Sequence, residues 1–293
     1  MSRISRLLRY AGVALVAAVL VLYVALPIGF AAFASLPHPT RVGAPPEGFT
    51  EVNLTADDGV PLVAWYAPSR NGAAIVLLHG ATDSREGIRG HAEMLRDAGY
   101  GVLAPDLRGH GASGGSGNAF GWEGTRDVRA AVAYLEAQEG VRTIGGLGLS
   151  LGGEVLLGAL NATPSLSAVA ADGATHRCTA EFLAVPGREG LLRSGVTRLM
   201  YTATGAFTGE VPPVPMVEAI AGAPNARLLL VAAGQEPDEA SYGTAFVEAA
   251  GPGRAELWVV PGATHTGAFG QDPEAYRKRV TEFFQTALLA ENV

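Results

Sequence analysis

Residues 143–154 read TIGGLGLSLGGE, one serine among five glycines, after an apolar run and ahead of a segment with helical patterning. Within it, Gly148-Leu149-Ser150-Leu151-Gly152 matches G-x-S-x-G, a motif whose meaning depends on a strand before it and a helix after it. Both are expected here: TIGGLGLS as a buried strand and GGEVLLGAL as the start of a helix. A strand that turns at once into a helix strains the serine backbone, and side chains at the flanking positions would collide. The same turn projects Oγ beyond the C-terminal edge of the sheet. The N–H of Leu151, at the helix start, then faces any oxyanion formed beside Ser150. A Gly-rich strand–helix junction without chemistry is the plainer reading, and the strand–turn–helix context favours a nucleophile over it.

A serine hydroxyl is a weak nucleophile and needs a base within hydrogen-bond reach. Six histidines are available: His38, His79, His91, His110, His176 and His265. In a doubly wound hydrolase the acid and the histidine follow the serine in chain order, which leaves His176 and His265. His265 lies in VVPGATHTGAFG, just after an expected strand and near the sheet edge where ligands gather, so it is the expected base. A surface loop histidine is the alternative.

Outward from the motif, strands and helices alternate. FTEVNLTADDGVPLVAWYAP reads as a hairpin turning at Asp57-Asp58-Gly59. AAIVLLHG, YGVLAPDLRGHG, SAVAADG, ARLLLVAAG and AELWVVPG read as further strands, several of them continuously apolar. Helices are expected over 86–98, 122–138 and 273–289, each with an apolar face. The fold class is therefore α/β, a mostly parallel doubly wound sheet. The alternation breaks over 175–224, which reads as an inserted helical cap. Its Phe182, Leu183, Leu191, Leu192, Met200, Tyr201 and Phe207 either line an apolar acyl pocket or pack on the sheet.

Leu78-His79-Gly80, then Asp106-Leu107-Arg108-Gly109-His110-Gly111, the serine motif and a late Gly-x-x-His occur in this order. Over roughly Phe49 to Ala290 the chain resembles the α/β-hydrolase fold superfamily, in its esterase, lipase and serine-aminopeptidase-like branches. The resemblance implies that the N–H of Ala81, after the His-Gly pair, is the second oxyanion donor. It also implies that His79, Asp106, Arg108 and His110 order loops beneath the site. The family's acid sits in a G-x-x-D-like loop after the penultimate strand. Here that loop reads Ala233-Gly234-Gln235-Glu236-Pro237-Asp238-Glu239, with proline at the fourth position. Asp238 is the expected acid, with Glu236, Glu239 and then Asp172 as the competing carboxylates.

The N-terminus differs in kind. Arg3, Arg6 and Arg9 precede Tyr10 to Leu36, 27 residues without a charge. About 20 apolar residues cross a bilayer core, so residues 1–36 are expected to form a retained transmembrane anchor. A cleavable signal peptide has a shorter apolar region, about 7–15 residues. Ala32-Phe33-Ala34 nevertheless fits a cut site, so cleavage is the second reading and a buried core helix the third. Arginines ahead of the span predict a single-pass protein with a cytoplasmic N-terminus and an extracytoplasmic catalytic domain. Pro27 and Gly29 are expected to kink the span near its outer end, and residues 37–48, rich in proline and glycine, to form an extended linker to the domain at 49–293.

The 293 residues carry a net charge of −7, and no basic cluster lies outside the N-terminus, which argues against a nucleic-acid partner. Cys178 is the sole cysteine, so no intrachain disulfide or Cys-based zinc site is possible. There is no P-loop and no H-E-x-x-H, so neither a cofactor nor a metal is expected. Gly111 to Gly121 lacks the strand–helix setting of a dinucleotide loop and reads as a mobile loop near the site. The expected activity is a membrane-anchored serine hydrolase acting on a small or lipid-like acyl substrate: an ester, thioester or amide. A non-catalytic binding or scaffold protein of the same fold is the alternative, favoured only by the irregular acid loop.

Overall fold

The computed structural model describes residues 3–289. The chain opens with α1 (Arg3–Leu20), a π-helical turn over Val21–Ala25, and α2 (Leu26–Ala34). Together they form an exposed apolar rod, Arg6–Ala34, 29 residues long with mean hydropathy 2.6 in its most apolar window. By length and composition it is able to cross a membrane. Pro27 has no N–H to give the carbonyl four residues back, and the wide turn before it accommodates that loss without ending the helix.

After this rod come β1 (His38–Pro39), the hairpin β2 (Thr50–Thr55) and β3 (Pro61–Ala67), β4 (Ala73–Leu78), α3 (Arg89–Asp97) and β5 (Gly101–Pro105). Next are β6 (His110–Gly111), α4 (Gly124–Glu136), β7 (Thr143–Leu149), α5 (Leu151–Ala159) and β8 (Leu166–Asp172). The expected cap contains α6 (Thr179–Leu183), α7 (Leu191–Thr208) and α8 (Met216–Ala221). The chain continues through β9 (Arg227–Ala233), α9 (Pro237–Ala250), β10 (Ala255–Val260), α10 (Ala268–Gln271) and α11 (Pro273–Phe284), with a closing π-helical turn over Gln285–Leu289.

Eight strands form one sheet in the order β10-β9-β8-β7-β4-β5-β3-β2. Strands β10, β9, β8, β7, β4 and β5 are parallel, whereas β3 runs antiparallel to both its neighbours. β4 shows why an unbroken apolar run suits the centre of such a sheet. Its alternate residues face opposite sides: Ala74, Val76 and Leu78 join one core with Val128 of α4, Val155 of α5 and Phe246 of α9. Ala73, Ile75 and Leu77 join the other, with Leu95 of α3 and Phe284 of α11.

The chain leaves β4 toward β5 on one side and later returns to β7 on the other. The C-terminal ends of β4 and β7, registered Leu78 to Gly148, therefore flank the point where strand order reverses. Ligands bind at such a point in open α/β sheets. The expected linker is no free spacer. β1 pairs in parallel with β6, and His38 N donates to Gly109 O at 2.6 Å, holding residues 38–40 against the loop after β5. α2 packs on α7, burying Pro27 and Ala31 on one stripe.

Candidate active site

β7 ends at Leu149 and α5 begins at Leu151, so Ser150 alone makes the turn. Its φ of 48° and ψ of −118° lie in a region that L residues rarely adopt, strain of a kind that collects at functional sites. Two flanking glycines are obligatory. A Cβ on Gly148 would lie 2.3 Å from the Gly152 carbonyl carbon, and one on Gly152 would lie 2.5 Å from Leu78 O. Ser150 N donates to Asp172 O at 2.7 Å, so β8 holds the turn from the side.

His265 sits beyond β10, where its Nε2 lies 2.8 Å from Ser150 Oγ. Its Nδ1 lies 2.6 Å from Glu239 Oε1. Glu239 Oε2 in turn accepts from Ala233 N at 2.8 Å, and the carboxylate is almost wholly buried. The hydrogen bond that His265 Nδ1–H donates to Glu239 raises the His265 pKa above the ordinary histidine value, against the opposing effect of burial. Gly173 leaves room for the ring, since a Cβ there would lie 3.1 Å from His265 Cε1.

Asp238, the expected acid, is not against His265. The segment taken for a loop is the first turn of α9, with Pro237 at its first position. One residue is about 100° of helix rotation, so Asp238 and Glu239 point apart. Asp238 is exposed and pairs with Arg188 of the cap at 2.7 Å, whereas Glu239 turns under the sheet edge to His265. Glu236 is the exposed residue before the helix. Asp172 is buried beside Tyr276 without a well-formed hydrogen bond to its carboxylate, and burial pushes its pKa up to about 7. Pro237 marked a helix start in the sequence, and the rotation of that helix, not residue order, selects the carboxylate that reaches His265.

The two expected oxyanion donors also come together. Leu151 opens α5, where the first N–H groups have no partner within the helix. Gly80 lies so close to the elbow that a Cβ on it would touch Ser150 Cβ at 3.7 Å, which brings Ala81 beside the serine. Ala81 and Leu151 line one cavity of about 320 Å³.

The other sequence-marked residues brace these loops. His79 is fully buried; its Nδ1–H donates to Gly80 O at 2.7 Å and its Nε2 accepts from Leu107 N at 3.0 Å. Burial lowers its pKa to about 4, so it stays neutral. Asp106 binds the Arg85 guanidinium and accepts from Arg85 N and Ala112 N, while Arg108 joins Asp127 to Asp58. His110 Nε2 accepts from Thr82 N at 3.3 Å. His176 instead bonds Tyr201 of the cap, at 2.6 Å. Phe182 and Tyr201 are buried in packing, Phe207 is half-exposed, and the side chains of Leu191 and Leu192 lie outside the described residues. Among the described residues, no cluster of His, Cys, Asp and Glu is arranged to hold a metal.

Comparison with solved structures returns the same architecture. An esterase of Pyrococcus furiosus, Pf2001, superimposes with a TM-score of 0.67 at 24% identity, covering 86% of this chain and 98% of that one. GrgF, an alpha/beta hydrolase from Penicillium sp. sh18, gives 0.64 at 17% identity over 82% of this chain and 99% of its own. The esterase RhEst1 from Rhodococcus sp. ECU1013 gives 0.59 at 22%, over 82% and 99%. At these identities the likeness establishes the fold. No curated protein matches the chain. A sequence model of the alpha/beta hydrolase family matches residues 75–279, from β4 into α11, and with so much of the chain matched this protein belongs to that family.

Proposed function

We propose that this protein is a membrane-anchored serine hydrolase that cleaves a carboxylic ester, thioester or amide through an acyl-enzyme on Ser150. The observation that carries this reading is the hydrogen-bonded chain Ser150–His265–Glu239 at a strained elbow. In the proposed reaction Ser150 Oγ attacks the substrate carbonyl as its proton passes to His265 Nε2. Glu239 holds the Nδ1–H tautomer and stabilises the imidazolium. The N–H groups of Leu151 and Ala81 stabilise the tetrahedral oxyanion, each worth about 2.7–4 kcal/mol. Collapse returns the proton from His265 to the leaving oxygen, sulfur or nitrogen. Water, deprotonated by His265, then attacks the acyl-enzyme, and the acid product leaves Ser150 free.

Several structural neighbours are named as esterases, which puts esters first among the substrates to test. The irregular acid loop was the one feature favouring a non-catalytic protein, and the position of Glu239 beside His265 Nδ1 supports the catalytic reading over it. The anchor is assigned to the apolar rod at residues 6–34, with Arg3, Arg6 and Arg9 on the cytoplasmic side. A fluorophosphonate probe on the full chain tests the reading: it should label the unsubstituted protein and spare Ser150→Ala, which should also lose ester turnover. Equal labelling of both, or none of a folded unsubstituted chain, sinks it.

A further inference from the structure

The cavity beside Ala81 and Leu151 draws no residue from the cap. Its far wall is the end of the apolar rod: Phe30, Phe33 and Ala34 of α2. His38, Thr82, His110, Asn118 and Phe120 complete the lining, with Phe30 and Phe120 5.8 Å apart between ring centroids and Phe33 and His38 4.8 Å apart. The contact is built, not incidental. α2 packs on α7, the β1–β6 pairing fixes the segment after it, and a Cβ on Gly117 would lie 2.2 Å from Ser35 O. Thr82 and Phe120, both at the cavity, hold φ of 59° and 51°, strain of the kind that collects at ligand clamps.

The rod's length sets the height of this cavity. The rod's 29 residues exceed the roughly 20 that span a hydrocarbon core of about 30 Å, so its C-terminal turns, packed on α7, emerge beyond the core. Phe30 to Ala34 then sit at headgroup level, and the oxyanion donors face them across the cavity. Phe30 and Phe33 remain about half-exposed, so the wall is continuous with the apolar side of the rod.

We propose that the anchor forms the acyl-binding wall of the active site, and that the substrate is a membrane-resident amphiphile whose single acyl chain slides from the bilayer along Phe30 and Phe33. This rests on the hydrolase reading above. The cavity, about 320 Å³, is small for a long acyl chain, so medium chains fit best. The carbonyl stops between Ala81 and Leu151, and the headgroup, as leaving group, faces water.

The test uses the full chain in phosphatidylcholine vesicles, with p-nitrophenyl acetate and p-nitrophenyl decanoate as probes and fluorophosphonate labelling of Ser150 followed throughout. In Phe30→Ala/Phe33→Ala the decanoate-to-acetate ratio of kcat/KM should fall about tenfold, the discrimination typical of lost apolar contacts in a pocket, with labelling retained. Phe33→Trp narrows the same wall and should move the preferred chain length down. Should the double variant lose labelling, it is misfolded and Phe33→Trp decides alone. A ratio unchanged in the labelled variants overturns the assignment of the anchor to the acyl site. Absence of labelling in the unsubstituted chain overturns the hydrolase reading instead, and the acyl-site assignment with it.

Discussion

Asp238 and Glu239 are adjacent, chemically alike, and directed to different tasks by one step of a helix. Asp238 meets the buried Arg188, which also lies over the rings of Phe182 and Tyr242, and so ties α9 to the cap. Glu239 meets His265. Glu239→Gln should lower kcat by about 10³–10⁴, because the amide no longer fixes the tautomer or stabilises the imidazolium. Asp238→Asn should change kcat by less than about threefold, since Asp238 touches Arg188 of the cap and not His265. Ester turnover by the two variants separates the carboxylates. The pH profile gives an independent reading. His265 works as a base only when neutral, and Glu239 raises its pKa above the ordinary histidine value. Activity should therefore rise with pH through a midpoint above that value, and the midpoint should drop in Glu239→Gln. A midpoint that stays put would detach Glu239 from the imidazole.

The elbow depends on how closely β4, β7 and α5 approach one another. Gly152 faces the carbonyls of Leu78 and His79, which are backbone atoms and unable to swing away. Gly152→Ala should lower the stability of the full chain by about 1–3 kcal/mol or more, the usual cost of overpacking, and abolish labelling of Ser150. Gly195, inside α7, has nothing within 4 Å of an added Cβ. Gly195→Ala should stabilise by about 0.5–1 kcal/mol through helix propensity alone. Thermal midpoints of both variants in detergent should move in opposite directions, and a shared direction would contradict the packing argument.

For the molecule as a unit, the question is how the apolar rod and the sheet are joined. A flexible linker would leave the domain free to tumble above a membrane. Here the backbone pairing of His38 and Pro39 with His110 and Gly111 ties the rod to the loop after β5, which Asp106 and Arg108 brace from below. The domain thus holds one face toward the rod's end. With positive charge ahead of the rod, a C-terminal reporter active only outside the cytoplasm should be active when fused to the full chain. Activity of a cytoplasm-restricted reporter instead would reverse the topology.

Elements whose patterning is local were legible from residue order. Central strands buried on both faces read as unbroken apolar runs, Asp57-Asp58-Gly59 marked the hairpin turn, and the glycines around Ser150 marked the elbow. The meeting of Ser150 and His265 was legible from motif and chain order. What residue order left open depends on direction in space. Asp238 and Glu239 compete equally as letters, and only the start of α9 at Pro237, with its rotation of about 100° per residue, sends one to Arg188 and the other to His265. The cap residues read as either an acyl lining or packing on the sheet, and the cavity beside Ala81 and Leu151 is instead walled by Phe30 and Phe33. Phe30 and Phe33 lie more than a hundred residues before Ser150. No local pattern reports a contact at that separation; strand order, the β1–β6 pairing and the packing of α2 on α7 create it.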